Sequence, residues 1–278
     1  MFGNKNYYCL VAGLKEYTLD ADTKGFDAKA IVEEILEELS DRDARSVKLM
    51  YAYYDCENLI ARRASRAAYN PLGNIAAEDL DDELLSPKRV AEPMARVIRA
   101  YADPESEYAE GLDMTQSFEK ALLTAYYQTC SSSKSRFLRE WAEFDRTLRN
   151  VSAAIVARSL GRPIDSVTVG EGEVVEQLQR SSAADFGLRG EIAYIDAVIT
   201  AVNDEQNLLE KEHKIDLVRW EQALELAGFD YFNINAILSY LARINIVARW
   251  SMLDPKRGRE MLQRIMAELD GKDLVNKQ

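Results

Sequence analysis

Histidine, cysteine and proline are scarce in this chain of 278 residues, which holds one, three and six of them respectively. The single imidazole, His213, excludes zinc and iron sites that need several. It also excludes a di-metal carboxylate bundle, which takes a Glu-x-x-His pair from each of two helices. "EKEH" supplies Glu210 and His213 at that spacing only once. Cys9, Cys56 and Cys130 are odd in number, far apart and without a CxxC, the pattern of a reduced, intracellular protein. No stretch approaches the ~20 apolar residues of a membrane span. Positive charge is also in deficit: 35 Lys and Arg face 47 Asp and Glu, for a net charge of −12. Such a chain repels phosphate backbones, so nucleic acid is not an expected partner. The run Arg62, Arg63, Arg66 reads as a solvated helix face.

The motifs of common chemistries are missing as well. There is no HExxH, no GxxxxGK[ST] and no G-x-S-x-G, so no zincin, P-loop or hydrolase elbow is expected. "GEGE" (Gly170–Glu173) carries carboxylates that repel the anion its backbone N–H groups would attract. An S-x-x-K from Ser131 to Lys134 lacks its companion motifs and reads as a helix interruption. Carboxylates are too numerous to single out an acid–base pair. The expectation is a non-enzyme, with no catalytic residue, cofactor or metal.

What is present is helical periodicity. The chain is 47% hydrophobic with 14 tyrosines, enough for one or two cores. "YYCLVAGL" (Tyr7–Leu14) runs straight into Lys15–Glu16 and reads as the first folded element rather than a signal-peptide core. Asp27 is the expected N-cap of a helix stapled by Phe26 and Ile31. "SDRD" (Ser40–Asp43) opens a second, with a capping-box pattern. "NPLGN" (Asn70–Asn74) is a break. Phe137, Trp141, Phe144, Leu148, Val151 and Ile155 form the seam of a long helix ended by Gly161 and Pro163. The stretch from Gly190 to Gly228 reads as one helix of nearly ten turns, with Ile192, Ile195, Ile199, Val202, Leu209 and Trp220 along its stripe. Gln206, His213 and Asp216 interrupt that stripe. "SVTV" (Ser166–Val169) is the only strand-like piece. The fold class is all-α.

"YLARINIVARW" (Tyr240–Trp250) closes the last helix. Ile237, Leu241, Ile244, Val247 and Trp250 share one face, and "LDPKRG" stops the helix near Leu253. Trp250 at the seam's end, with Arg249 beside it, either closes a core or faces a partner; core closure is the expectation. Three helices place an aspartate shortly before an Asn or Arg: Asp55 with Asn58, Asp145 with Arg149 or Asn150, and Asp216 with Arg219. Chance and internal repetition both account for such an echo.

The order of several segments carries a resemblance. "NYYCLVAGL", "DCENLI" and "YNPLGN" come first, followed by "FLREWAEFDRTLRNVSAAIVARSLG", "DFGLRGEI", "NLLEKEHKIDLVRW" and "AILSYLARINIVARWSMLDPKRG". Together, from about Asn6 to Gly271, they resemble a bacterial family whose genes lie among those for V/A-type ATPase components. That family is similar to the C-type coupling component of V-type ATP synthases, which is called d in eukaryotic enzymes. The resemblance implies a funnel of three pseudo-repeated helical bundles, placed here at 1–111, 112–185 and 186–278. It implies a non-catalytic component, peripheral to the inner membrane on its cytoplasmic side, whose partners are the central shaft and the membrane rotor ring. It implies one copy per rotor, hence a monomer when isolated, and makes the three aspartate-centred pairs equivalent repeat positions. A helical adaptor of another complex is the alternative. A carboxylate-dependent enzyme built on Glu210, His213 and Asp216 is the third reading.

Overall fold

The computed structural model describes residues 5–19, 25–203 and 208–252, and among them no strand occurs. The protein is all-α. Eleven α-helices follow in order among the described residues: α1 (Tyr8–Gly13), α2 (Ala28–Glu38), α3 (Asp41–Arg63), α4 (Leu80–Leu85), α5 (Glu92–Ala102), α6 (Phe118–Ser131), α7 (Arg136–Ser159), α8 (Glu173–Arg180), α9 (Ile195–Val202), α10 (Leu208–Ala227) and α11 (Ile234–Met252). The strand-like "SVTV" is turn and loop, because Thr168 is drawn inward and buried rather than paired with a second strand. "LDPKRG" and the rest of the chain after Met252 lie outside the described residues.

Local chemistry sets the helix starts. Asp27 caps α2 by accepting the Ala30 N–H at 3.1 Å. Ser40 caps α3, accepting the Asp43 N–H at 3.4 Å. The Asp43 carboxylate does not reach back to complete a capping box. It accepts the Tyr7 hydroxyl at 2.6 Å instead, while the Ser40 N–H donates to that same hydroxyl oxygen at 3.2 Å. Tyr7 thus replaces the missing half of the box and ties the start of the chain to α3. Ser135 caps α7 in the same way; Ser131 is the last residue of α6, and Ser132 and Ser133 lie in the α6–α7 break. Helices α3 and α7 also end alike. A left-handed residue, Ser65 (φ 54°) or Gly161 (φ 63°), lets Arg66 and Arg162 donate back to Ala61 and Ala157, each at 2.8 Å.

Buried apolar residues fall into two clusters. The larger joins α2 to α6, the first turns of α7, and α11; the smaller joins the rest of α7 to α8, α9 and α10. Helix α7 belongs to both, with Phe137 and Leu138 in one and Phe144, Leu148, Val151 and Ile155 in the other, and Trp141 packed on each. Helix α11 is buried almost all round, including the seam Ile237, Leu241, Ile244 and Val247, as a central helix must be. The positions 111 and 185 both fall in turns.

The ten-turn helix expected from Gly190 to Gly228 is not continuous. Residues 190–194 form turns, and α9 ends at Val202, where the Asn203 N–H donates to Ile199. Gln206 lies outside the described residues. Helices α9 and α10 pack against each other as separate rods. The physical reason is that Ile195, Val198, Ala201 and Val202 are all buried in a short helix sunk between α7 and α10. A straight continuation would leave that apolar surface in water. Leu209, read as part of the stripe, is exposed.

Candidate functional site

A cavity of about 830 Å³ opens between α3, α6, α7, α10 and α11. Its aromatic wall is Tyr53, Tyr54, Tyr126, Tyr127 and Trp141, with the rings of Tyr126 and Tyr127 edge-on at 5.1 Å and those of Tyr53 and Tyr126 at 5.8 Å. A string of charges lines the cavity beside it. Asp216 on α10 is 1% exposed. It accepts Arg219 Nη1 at 2.8 Å, Arg249 Nη1 at 2.9 Å on each oxygen, and the Trp250 indole N–H at 2.8 Å. Arg249 also donates to Glu212, one turn before Asp216. Arg219 Nε lies 3.7 Å from Asp145 Oδ1, and Asp145 Oδ2 accepts the Tyr127 hydroxyl at 2.7 Å. Arg149 donates to the Tyr53 hydroxyl at 3.0 Å and to Glu119 at 3.3 Å.

Burial and charge act together on these groups. Burial pushes the Tyr53, Tyr54 and Tyr127 hydroxyls well above the ordinary tyrosine range, and neighbouring carboxylates add to it. Burial also raises the Glu57 carboxyl at the cavity edge. Burial opposes ionisation of Arg219, but Asp145 and Asp216 outweigh it and hold the guanidinium charged. The arrangement is that of a compensated ion-pair network. Both oxygens of Asp216 are occupied by donors, and Glu210 lies 3.1 Å from Lys214, one turn on along the same helix. The His213 ring stands edge-on to Trp250 at 5.5 Å. No group of three or more His, Cys, Asp or Glu side chains among the described residues is placed to hold a metal ion.

The residues singled out by sequence divide into two sets. Asp145, Arg149, Asp216, Arg219 and Arg249 converge on the cavity, and Trp250 reaches it through Asp216. Asp55, Asn58 and Asn150 instead bind loops. The Asn58 side chain donates to the Asn70 carbonyl at 2.9 Å and accepts the Asn70 N–H at 2.7 Å. Asn150 does the same to Val169, at 2.9 and 2.8 Å. Each amide thus clasps both backbone groups of one residue in the loop after its own helix. Both loops carry a glycine that closely approaches a side chain. A Cβ on Gly73 would lie 2.7 Å from Asp55 Oδ1, and one on Gly170 (φ +78°) 2.6 Å from Arg146 Nη1. Asp55 adds to the first loop, accepting Asn74 Nδ2 at 2.6 Å and the Ile75 N–H at 2.9 Å. Asn58 and Asn150 are therefore the pair that match in geometry. Asp55 holds a loop, whereas Asp145 and Asp216 meet arginines.

Glu212, Glu57 and the tyrosine wall do not stand out in the sequence. Glu212 was legible, since it lies four residues before Asp216 on the same helix face. For the wall the available signal is the triplet "AYY", present at Ala52–Tyr54 and again at Ala125–Tyr127.

No helix among the described residues is long and apolar enough to cross a membrane. A family model described as a protein of unknown function (DUF2764) matches residues 4–272. No curated protein and no solved structure matches the chain.

Proposed function

The chain belongs to the DUF2764 family, whose model spans nearly all of it, and we propose that it is the non-catalytic coupling component of a V/A-type ATPase rotor. In this reading it joins the central shaft to the membrane ring at the cytoplasmic face of the inner membrane, as one copy per rotor. The cavity is the mouth of a funnel, and the three stretches 1–111, 112–185 and 186–278 are its quasi-repeated walls.

The observation that carries the reading is the composition of the cavity. Its polar side chains come from each of the three stretches: Tyr53 from the first, Asp145 and Arg149 from the second, Asp216, Arg219 and Arg249 from the last. Asp145, Asp216, Arg219 and Arg249 are committed to one another in ion pairs, and Arg149 donates to the Tyr53 hydroxyl. That suits a stiff socket that receives another protein, and torque transmission calls for close-packed helices of this kind. The matching Asn58 and Asn150 clasps support descent from a repeated unit. Compensated charges inside a socket also set the orientation of a docked partner more than they add affinity.

The test is co-purification from native membranes with a tagged chain, followed by deletion. The expected result is recovery of shaft and ring proteins. Deletion is expected to abolish ion pumping while hydrolysis by the detached soluble sector persists. Recovery of an unrelated complex would favour the adaptor reading, and hydrolysis by the detached sector that required this chain would remove the coupling role.

A further inference from the structure

The outer face of α10 and the turn that follows it form a second feature, apart from the cavity. Leu217 and Leu224 are 38% and 48% exposed. They lie seven residues apart, two helical turns, on one face. Glu221 and Glu225 share that face, both exposed, and neither has an ion-pair partner among the described residues. The stripe runs on into the α10–α11 turn, where Phe229 is 91% and Tyr231 62% exposed. The Phe232 ring lies tilted at 4.8 Å from the ring of Tyr8, which is itself exposed.

These rings are not left outside by a slack loop. Asp230 Oδ1 accepts Asn233 Nδ2 at 2.6 Å, and Oδ2 accepts Asn235 Nδ2 at 2.7 Å and Arg136 Nη2 at 3.0 Å. Arg136 also donates to the Leu226 carbonyl at 2.9 Å, and the Tyr7 N–H donates to the Phe232 carbonyl at 2.6 Å. The turn is held at both ends while Phe229 and Tyr231 point to solvent. Large apolar surface exposed in one strip, rimmed by charge, is the kind of patch that is often functional on monomers.

We propose that this strip is a docking surface for a basic amphipathic helix of a partner protein, with apolar side chains packed on Leu217, Leu224 and Phe229 and lysines or arginines against Glu221 and Glu225. Charge decides among occupants. A second copy would set the Glu221 and Glu225 pairs against each other. An anionic lipid surface repels a chain of net charge −12. A helix with a basic flank meets neither obstacle, and pre-held aromatic anchors lower the ordering cost of binding. The proposal does not depend on the rotor reading, because it concerns the face of α10 opposite the cavity.

The test uses the full chain and a synthetic helical peptide of leucine and lysine in amphipathic order, with a scrambled peptide of the same composition, at physiological salt. Binding of the ordered peptide is expected, weakened about tenfold or more by L217Q/L224Q and by F229S, and made less salt-dependent by E221Q/E225Q. Equal binding of the scrambled peptide would reduce the effect to bulk charge and overturn the proposal, as would no binding at all. Phe229-dependent sedimentation with anionic vesicles would assign the strip to lipid. Self-association lost in F229S would assign it to a second copy. A melting temperature lowered by more than about 5 °C in L217Q/L224Q would mean that the chain already covers the face itself, and would overturn it too.

Discussion

The indole N–H of Trp250 donates to Asp216 at 2.8 Å, on a carboxylate that Arg249 also grips at 2.9 Å on each oxygen. Neighbours on one helix thus share a partner more than thirty residues upstream. Removing that partner leaves the indole without its acceptor, Arg249 with Glu212 alone and Arg219 with Asp145 alone. Asp216→Ala is expected to cost about 3–5 kcal/mol. Arg249→Ala is expected to cost about 1–3 kcal/mol, more than rim packing alone would give. Urea unfolding of the single and double variants checks this: the Asp216–Arg249 coupling is expected to be about 1–3 kcal/mol, and strict additivity would contradict the geometry.

Asn58 and Asn150 each satisfy a backbone N–H and a backbone carbonyl of a loop. Replacement by leucine keeps the bulk and removes both bonds, leaving groups that are buried or nearly so. Each variant is expected to lose about 2–4 kcal/mol, and amide hydrogen exchange at Asn70 or Val169 should accelerate only in the variant that frees it. Exchange unchanged at both would show that the loops are held by something else.

Gly170→Ala places a methyl 2.6 Å from Arg146 Nη1 on a backbone with φ +78°. Strain and displacement of Arg146, which bonds the Glu171 carbonyl and Glu143, are expected to cost about 1–3 kcal/mol. Gly13→Ala has open space around it and serves as the control. A melting temperature for Gly170→Ala equal to that of the control would refute the expected cost of the positive φ and of moving Arg146.

Burial works to raise the Asp230 carboxyl, but the donors Asn235, Arg136 and Asn233 outweigh it and hold it below its ordinary value. A carboxylate depressed in the folded state stabilises above its unfolded value, near ~4. That contribution is lost as pH falls through the folded value. The stability gap between the native chain and Asp230→Asn should therefore be full at neutral pH and shrink as pH drops below ~4. Denaturant midpoints at successive pH values measure it, and a gap constant down to pH ~2.5 would exclude the linkage.

Much of this architecture was legible in residue order. The α7 seam and the Asp27 cap follow from local periodicity and capping chemistry, and both depend on side chains a few positions apart. The break at Asn203 was not legible, because the apolar stripe of α9 stays in phase with that of α10. Only the burial of α9 between α7 and α10 shows that the two helices are separate. Arg249 illustrates the same limit at the site. Its position off the seam is readable, but its value rests on Asp216 and Glu212, which a different helix supplies. The Asp echo spans α3, α7 and α10, yet the residues that act alike are Asn58 and Asn150, on α3 and α7 alone. Clasping depends on where the following loop returns, and no spacing rule encodes that.

The near-complete burial of α11 orders events during synthesis. Its residues Ile237, Leu238, Leu241 and Ile244 lie within the cluster built from α2 to α6, and Tyr51 of α3 donates its hydroxyl to Asn245 at 2.8 Å. Until Ile234–Met252 leave the ribosome, the larger core has no centre. At roughly 5–20 residues per second, the earlier helices wait on the order of ten seconds or more with their inner faces uncovered. A nascent chain of this design needs shelter for that interval, and a truncation before α11 is expected to yield a chaperone client rather than a smaller domain.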